Sequence, residues 1–192
     1  MHPVNNNEGS ALIIALMILV VVTIIGVSSM NTSTIEIKIA SNDRLYKTSF
    51  YAADGGTEVG RELIEQNIAC ADGFNAEPLT IGSVEVVDKD FAFQENEPTA
   101  GDYPSDTERD IRWPKNDAQP HTNLTVFGNT ELSTGSALQM AAGYEGKGKG
   151  SASGGGQIIY NVFSKHQGRQ KSNVCIRINY RHLIGSEGVC KY

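Results

Sequence analysis

The residues able to do chemistry in this chain are scattered, and each grouping falls short of the reaction it evokes. Residues 143–150, Gly-Tyr-Glu-Gly-Lys-Gly-Lys-Gly, come close to a phosphate-binding loop, but Gly150 stands where that loop needs a hydroxyl for its magnesium ion. Asp88, Asp90, Glu95, Glu97 and Asp102 supply oxygen ligands for calcium without the regular spacing of a calcium loop, so they read as solvated acids. His121, His166 and His182 are far apart in sequence, and no serine or cysteine beside them has the pattern of an activated nucleophile. His182, next to Arg181, reads as a surface residue at a strand end. No catalytic residue, metal or cofactor is expected.

Three cysteines remain: Cys70, Cys175 and Cys190. They form no CxxC or Cys/His cluster, which argues against zinc. In an oxidising compartment two of them could join, and sequence leaves the connectivity open. The net charge of −6 and pI near 5.2 argue against a general nucleic-acid-binding surface, so no specific nucleic-acid partner is expected. A local basic stretch, residues 165–171, reads as a solvated hairpin loop.

The element that dominates the chain is apolar. No charged side chain occurs between Glu8 and Glu36, and residues 11–27 form a nearly unbroken aliphatic run. About 20 apolar residues span a bilayer as a helix. A secretory signal would carry Lys or Arg before a shorter core, and neither condition holds. A plain anchor fits the length but gives no reason for the Gly9-Ser10 junction that opens the run. Taken alone, the basic residues Lys38, Arg44 and Lys47 after the span favour an N-out topology.

Helical periodicity continues past the span. Ile35, Ile39, Asn42, Tyr46, Ser49, Phe50, Ala53, Gly56, Val59 and Leu63 recur at spacings of three or four, as one helical stripe, and no proline interrupts residues 4–77. One helix over residues 10–66 is expected, with Gly26 or residues 31–33 as places where it bends or melts. Ala52, Ala53, Gly55, Gly56 and Gly60 strip bulk from one flank, although each mid-helix glycine costs roughly 1 kcal/mol relative to alanine. A sheet or a second helix should lie there.

After residue 67, glycine, proline and acids replace the aliphatic pattern, and the remaining length suits one domain. Strands are expected at 81–87, 91–93 and 124–127, and a hairpin from 157–163 and 173–180 around a loop at 164–172. Residues 94–120 read as an exposed loop, 136–142 as a short helix and 143–156 as a flexible connection. The expected class is α+β: a long helix packed on a modest antiparallel sheet.

Taken together, residues 9–16 (Gly-Ser-Ala-Leu-Ile-Ile-Ala-Leu), 26–30 (Gly-Val-Ser-Ser-Met), 35–40 (Ile-Glu-Ile-Lys-Ile-Ala) and 50–56 (Phe-Tyr-Ala-Ala-Asp-Gly-Gly) resemble the N-terminal signature of PilX-type minor pilins, within the type IV pilin and pseudopilin family. The resemblance covers the first third of the chain. It implies a leader over 1–9 removed by a prepilin peptidase between Gly9 and Ser10, with methylation of the new amine. It implies a membrane and filament-core segment at 10–30, an amphipathic segment at 31–66 and a globular head at 67–192. Ser10, Ile14 and Glu36 are the implied subunit-contact residues. Partners would be the major pilin, other minor pilins and the inner-membrane assembly platform. The subunit would sit in the inner membrane before assembly and on the pilus afterwards, with a role in adhesion open to tip subunits.

Major pilins carry glutamate at the fifth mature position, where this chain has Ile14; PilX-type pilins and the tip pseudopilin of type II secretion lack it too. The tip pseudopilin is therefore the alternative reading, although it usually carries a large helical insertion with no counterpart here. An unrelated single-span envelope protein is the third. Pilin heads often staple their C-terminal region, so the resemblance favours Cys175–Cys190, with Cys70 joined to either partner next.

Overall fold

The computed structural model describes residues 8–94, 104–115, 119–132, 156–185 and 187–192, with side chains from Ser10 onward. One helix, α1 (Glu8–Ile68), is followed by β1 (Leu79–Ile81), β2 (Val84–Val86), β3 (Ile111–Trp113), β4 (His121–Leu132), β5 (Gly156–Gln167) and β6 (Asn173–Leu183). The strands form a single antiparallel sheet in chain order, β1 to β6. The α+β arrangement of a long helix and an antiparallel sheet is as the sequence implies.

Two compact units divide the chain, Met1–Arg44 and Leu45–Tyr192. In the first, α1 runs through Gly26 and residues 31–33 without interruption, so neither is a break. The hydroxyls there turn inward on the helix itself: Thr23 donates to Val20 O at 2.7 Å, and Thr32 to Ser28 O at 3.2 Å. Such back-bonding satisfies a polar side chain within its own helix, which a lipid-facing or subunit-facing helix requires.

In the second unit α1 lies on the sheet through Ser49, Ala53, Gly56, Thr57, Gly60, Leu63, Ile64 and Asn67, all buried. The small flank has the role its composition indicates. A Cβ on Gly60 would come within 2.9 Å of Leu124 and 3.0 Å of Val162, and one on Gly56 would meet Ser164 and, at 2.9 Å, Thr122. These glycines let the helix backbone approach β4 and β5 directly. The core then fills around Leu63, Ile64, Phe74, Val86, Phe91, Ile111, Leu124, Val126, Tyr160 and Val162.

Several local expectations are corrected. Residues 81–87 are not one strand, because Gly82, at φ 61°, turns the chain between Ile81 and its partner Val84 to make the β1–β2 hairpin. Residues Phe91–Phe93 form a 3₁₀ turn rather than a strand, with Phe91 and Ala92 buried. Within the expected loop 94–120, residues Ile111–Trp113 form β3, held between β2 and β4 by buried Ile111 and Arg112. The strand at 124–127 extends to His121–Leu132.

The β5–β6 hairpin pairs from Gln157↔Leu183 to Gln167↔Asn173, leaving only residues 168–172 for its turn. Lys165 and His166 thus belong to β5 instead of a solvated loop. The expected helix at 136–142, the connection at 143–155, the phosphate-loop-like residues 143–150, and Glu95, Glu97 and Asp102 lie outside the described residues.

Candidate functional site

The N-terminal run of α1 is rich in isoleucine and valine, whose branched side chains weaken helix propensity in water. In an apolar medium every backbone N–H and C=O must be satisfied within the segment, and a helix does this. Ser10 and every residue from there to Arg44 are exposed in the isolated chain, Ile14 by 57% and Glu36 likewise. The most apolar 18-residue window has a mean hydropathy of 3.0 and none of it is buried. The upper part of the expected stripe, Ile35, Ile39 and Tyr46, is equally bare, whereas Ser49 and Ala53 below it are covered.

An uncovered apolar surface of this length is stable only against lipid or other apolar helices. The Gly9-Ser10 junction falls within the first turn of the helix that starts at Glu8, and Ile14 follows Ser10 by one turn. Residues 8–58 match the PilX N-terminal family. The chain carries the N-terminal segment of a PilX-type pilin. The match takes in the junction, Ile14, Glu36 and the small flank through Gly56, and stops before the sheet. No curated protein matches the chain, and neither does any solved structure. Pilins of the PilX type are structural subunits of type IV pili, and the bare apolar helix fits a membrane-anchored pilus component.

The sheet-bearing unit beyond the matched segment is fastened by groups that periodicity could not reveal. Asn67, fully buried, donates from Nδ2 to Lys89 O at 2.7 Å and accepts from Ala92 N at 3.2 Å, so one amide ties the end of α1 to the turn at 91–93. It sits on the packing stripe seven residues after Gly60, and a polar residue on an apolar stripe was its only signal.

His182 is not at the surface. It is 2% exposed, with Nδ1 2.9 Å from Glu65 Oε1 and Nε2 3.5 Å from Glu187 Oε1. The Tyr180 hydroxyl donates to the same Glu65 oxygen. Burial, with the Glu65 hydrogen bond and charge, pushes the Tyr180 phenol up to about 12. The Gly185 N–H, 2.6 Å from Glu187 Oε1, holds that carboxylate below its usual range.

His121 and His166, distant in sequence, are brought together on β4 and β5, where Thr122 Oγ1 lies 2.9 Å from His166 Nδ1. Burial, and then the neighbouring His121, lowers the His166 pKa. On the outer face Asp106 accepts from Asn123 Nδ2 at 2.8 Å and lies 2.7 Å from His121 Nε2. Desolvation raises this carboxyl, but those two partners outweigh it and leave its pKa lowered. Among the described residues no group of three His, Cys, Asp or Glu is placed to hold a metal.

The disulfide joins Cys70 to Cys190, so Cys175–Cys190 is corrected. Cys175 is free and exposed on the outer face of β6, opposite Lys165, whereas the C-terminal tail brings Cys190 to the end of α1 with Cα atoms 4.7 Å apart. Beside the bridge, Tyr192 meets the edge of Phe74 at a ring-centroid distance of 6.0 Å.

Proposed function

We propose that this protein is a minor pilin of a type IV pilus, cut between Gly9 and Ser10, held in the inner membrane by residues 10–30 and then incorporated at or near the pilus tip. The observation that carries this reading is Ile14. In a pilus the glutamate at the fifth mature position reaches the N-terminal ammonium of the subunit ahead, because an unpaired charge in an apolar filament core costs several kcal/mol. A subunit with Ile14 has no carboxylate to offer upward, yet its Ser10 amine can still receive one from below. That asymmetry suits a position with nothing above it, from which a set of minor pilins primes assembly.

Its partners are then the major pilin, other minor pilins, the prepilin peptidase and the assembly platform, and its role is structural rather than catalytic. An Ile14→Glu variant tests the position. Gold labelling of the head on sheared pili should shift from filament ends toward the shafts, whereas an unchanged end-restricted distribution would refute the role given to Ile14.

A further inference from the structure

Strand β6 closes one side of the sheet, and among the described residues no strand pairs with its outer edge. Its pairing with β5 is continuous from Asn173 to Leu183, without a bulge, and the strand contains no proline. Among the described residues, its far edge from Asn173 to His182 therefore presents a regular row of backbone donors and acceptors. Sheets commonly blunt such an edge with a bulge, a proline, a very short strand or exposed charge, and of these β6 has only the charge of Arg177 and Arg181.

The two faces of β6 differ in chemistry. Arg177, Asn179 and Arg181 are exposed on the outer face, while Val174, Ile176 and Ile178 are half-buried on the inner face. Residues 157–183 contain five Lys and Arg and no Asp or Glu, in a chain of net charge −6. Arg177 leans over β5, its guanidinium 5.4 Å from the Phe163 ring centroid and one N–H on Asn161 Oδ1 at 2.8 Å. A guanidinium has five N–H donors, so this one keeps others for a ligand.

We propose that the outer edge of β6 receives an extended polypeptide segment from another protein in which acidic and apolar residues alternate. Side chains along a strand alternate between faces, so such a segment sets its acids opposite Arg177 and Arg181 and its apolar residues beside Val174, Ile176 and Ile178. The backbone ladder supplies affinity and the alternating side chains supply selectivity. A nucleic acid would meet the cations but neither the ladder nor the apolar row. A second copy of β6 would set arginines near arginines. The inference is independent of the pilus assignment.

The test uses the full chain in detergent micelles and a fluorescent nine-residue peptide alternating Glu and Val. The peptide should bind, slow amide exchange along β6, and lose affinity by about tenfold or more against the Arg177→Glu, Arg181→Glu double variant. A Lys/Val peptide should bind that double variant better than it binds the parent, which keeps the test readable through the charge reversal. N-methylation along the pairing edge of the peptide should abolish binding. The proposal is overturned by absence of binding, by undiminished binding of the N-methylated peptide, or by a single-stranded oligonucleotide of equal charge that binds as tightly.

Discussion

His182 Nδ1 lies 2.9 Å from Glu65 Oε1, and this contact joins the end strand of the sheet to the last turns of α1 inside the head. One imidazole nitrogen of His182 thus faces a carboxylate. Its other nitrogen faces Glu187, at the start of the C-terminal tail. Helix, strand and tail are thereby fastened at one buried ring.

Removing one partner of a buried hydrogen-bonded group leaves the other unsatisfied, which costs about 1–3 kcal/mol. Glu65→Ala, which strips both His182 and Tyr180 of their acceptor, should lower stability by about that much, read from chemical denaturation. A phenylalanine at Tyr180 removes only one of the two bonds and should cost less.

The glycines of α1 give a paired test. Alanine normally stabilises a helix by roughly 1 kcal/mol relative to glycine. Gly55→Ala, where a Cβ meets nothing within 4 Å, should show that gain. Gly60→Ala should instead destabilise by about 1–3 kcal/mol, because its Cβ would enter the space of Leu124 and Val162. Thermal unfolding of the two variants should move in opposite directions.

Asp110 sets a pH dependence. It is 8% exposed and accepts the Val126 N–H at 2.7 Å, and burial outweighs that bond to push its pKa to about 7, with the Asp88 charge adding to the rise. A carboxyl whose pKa is higher in the folded state binds more protons folded than unfolded, so stability falls as pH rises from about 4, its unfolded value, to about 7. The loss should approach roughly 2–4 kcal/mol across that window. Asp110→Asn, which keeps an acceptor for Val126, should remove this component of the slope when denaturation midpoints are measured at pH 4, 5.5 and 7.5.

The Cys70–Cys190 bridge closes a loop with a sequence separation of 120 residues. Restricting an unfolded chain over that distance stabilises the fold by about 3–5 kcal/mol. Cys190→Ser should lose an amount of that order, while Cys175→Ser, on an exposed strand face, should leave the midpoint nearly unchanged.

The parts of this molecule legible in the sequence are those governed by period and bulk. The uncharged run and the stripe from Ser49 to Leu63 give α1, and Gly56 and Gly60 mark where the sheet approaches. Alternation in β5 and β6 gives the hairpin, though not its length, because polar Lys165 and His166 continue a strand whose neighbours cover them. Strand β3 escaped notice since its three residues sit among acids and prolines and are buried only through β2 and β4. His182 escaped for a related reason. A histidine beside an arginine looks like surface until Glu65, 117 residues earlier, closes over it. The disulfide likewise depends on the path of the tail, which no local pattern encodes.

In the proposed minor-pilin role, the Gly9-Ser10 junction opens an apolar helix that would serve first as an anchor and then as a filament core. The most direct measurement is the intact mass and N-terminal peptide of the membrane-extracted protein from cells that contain prepilin peptidase. A chain beginning at Ser10, with the methylated amine, is the predicted result. A chain that retains Met1, or one cut beyond Ser28 as a secretory signal would be, would contradict it.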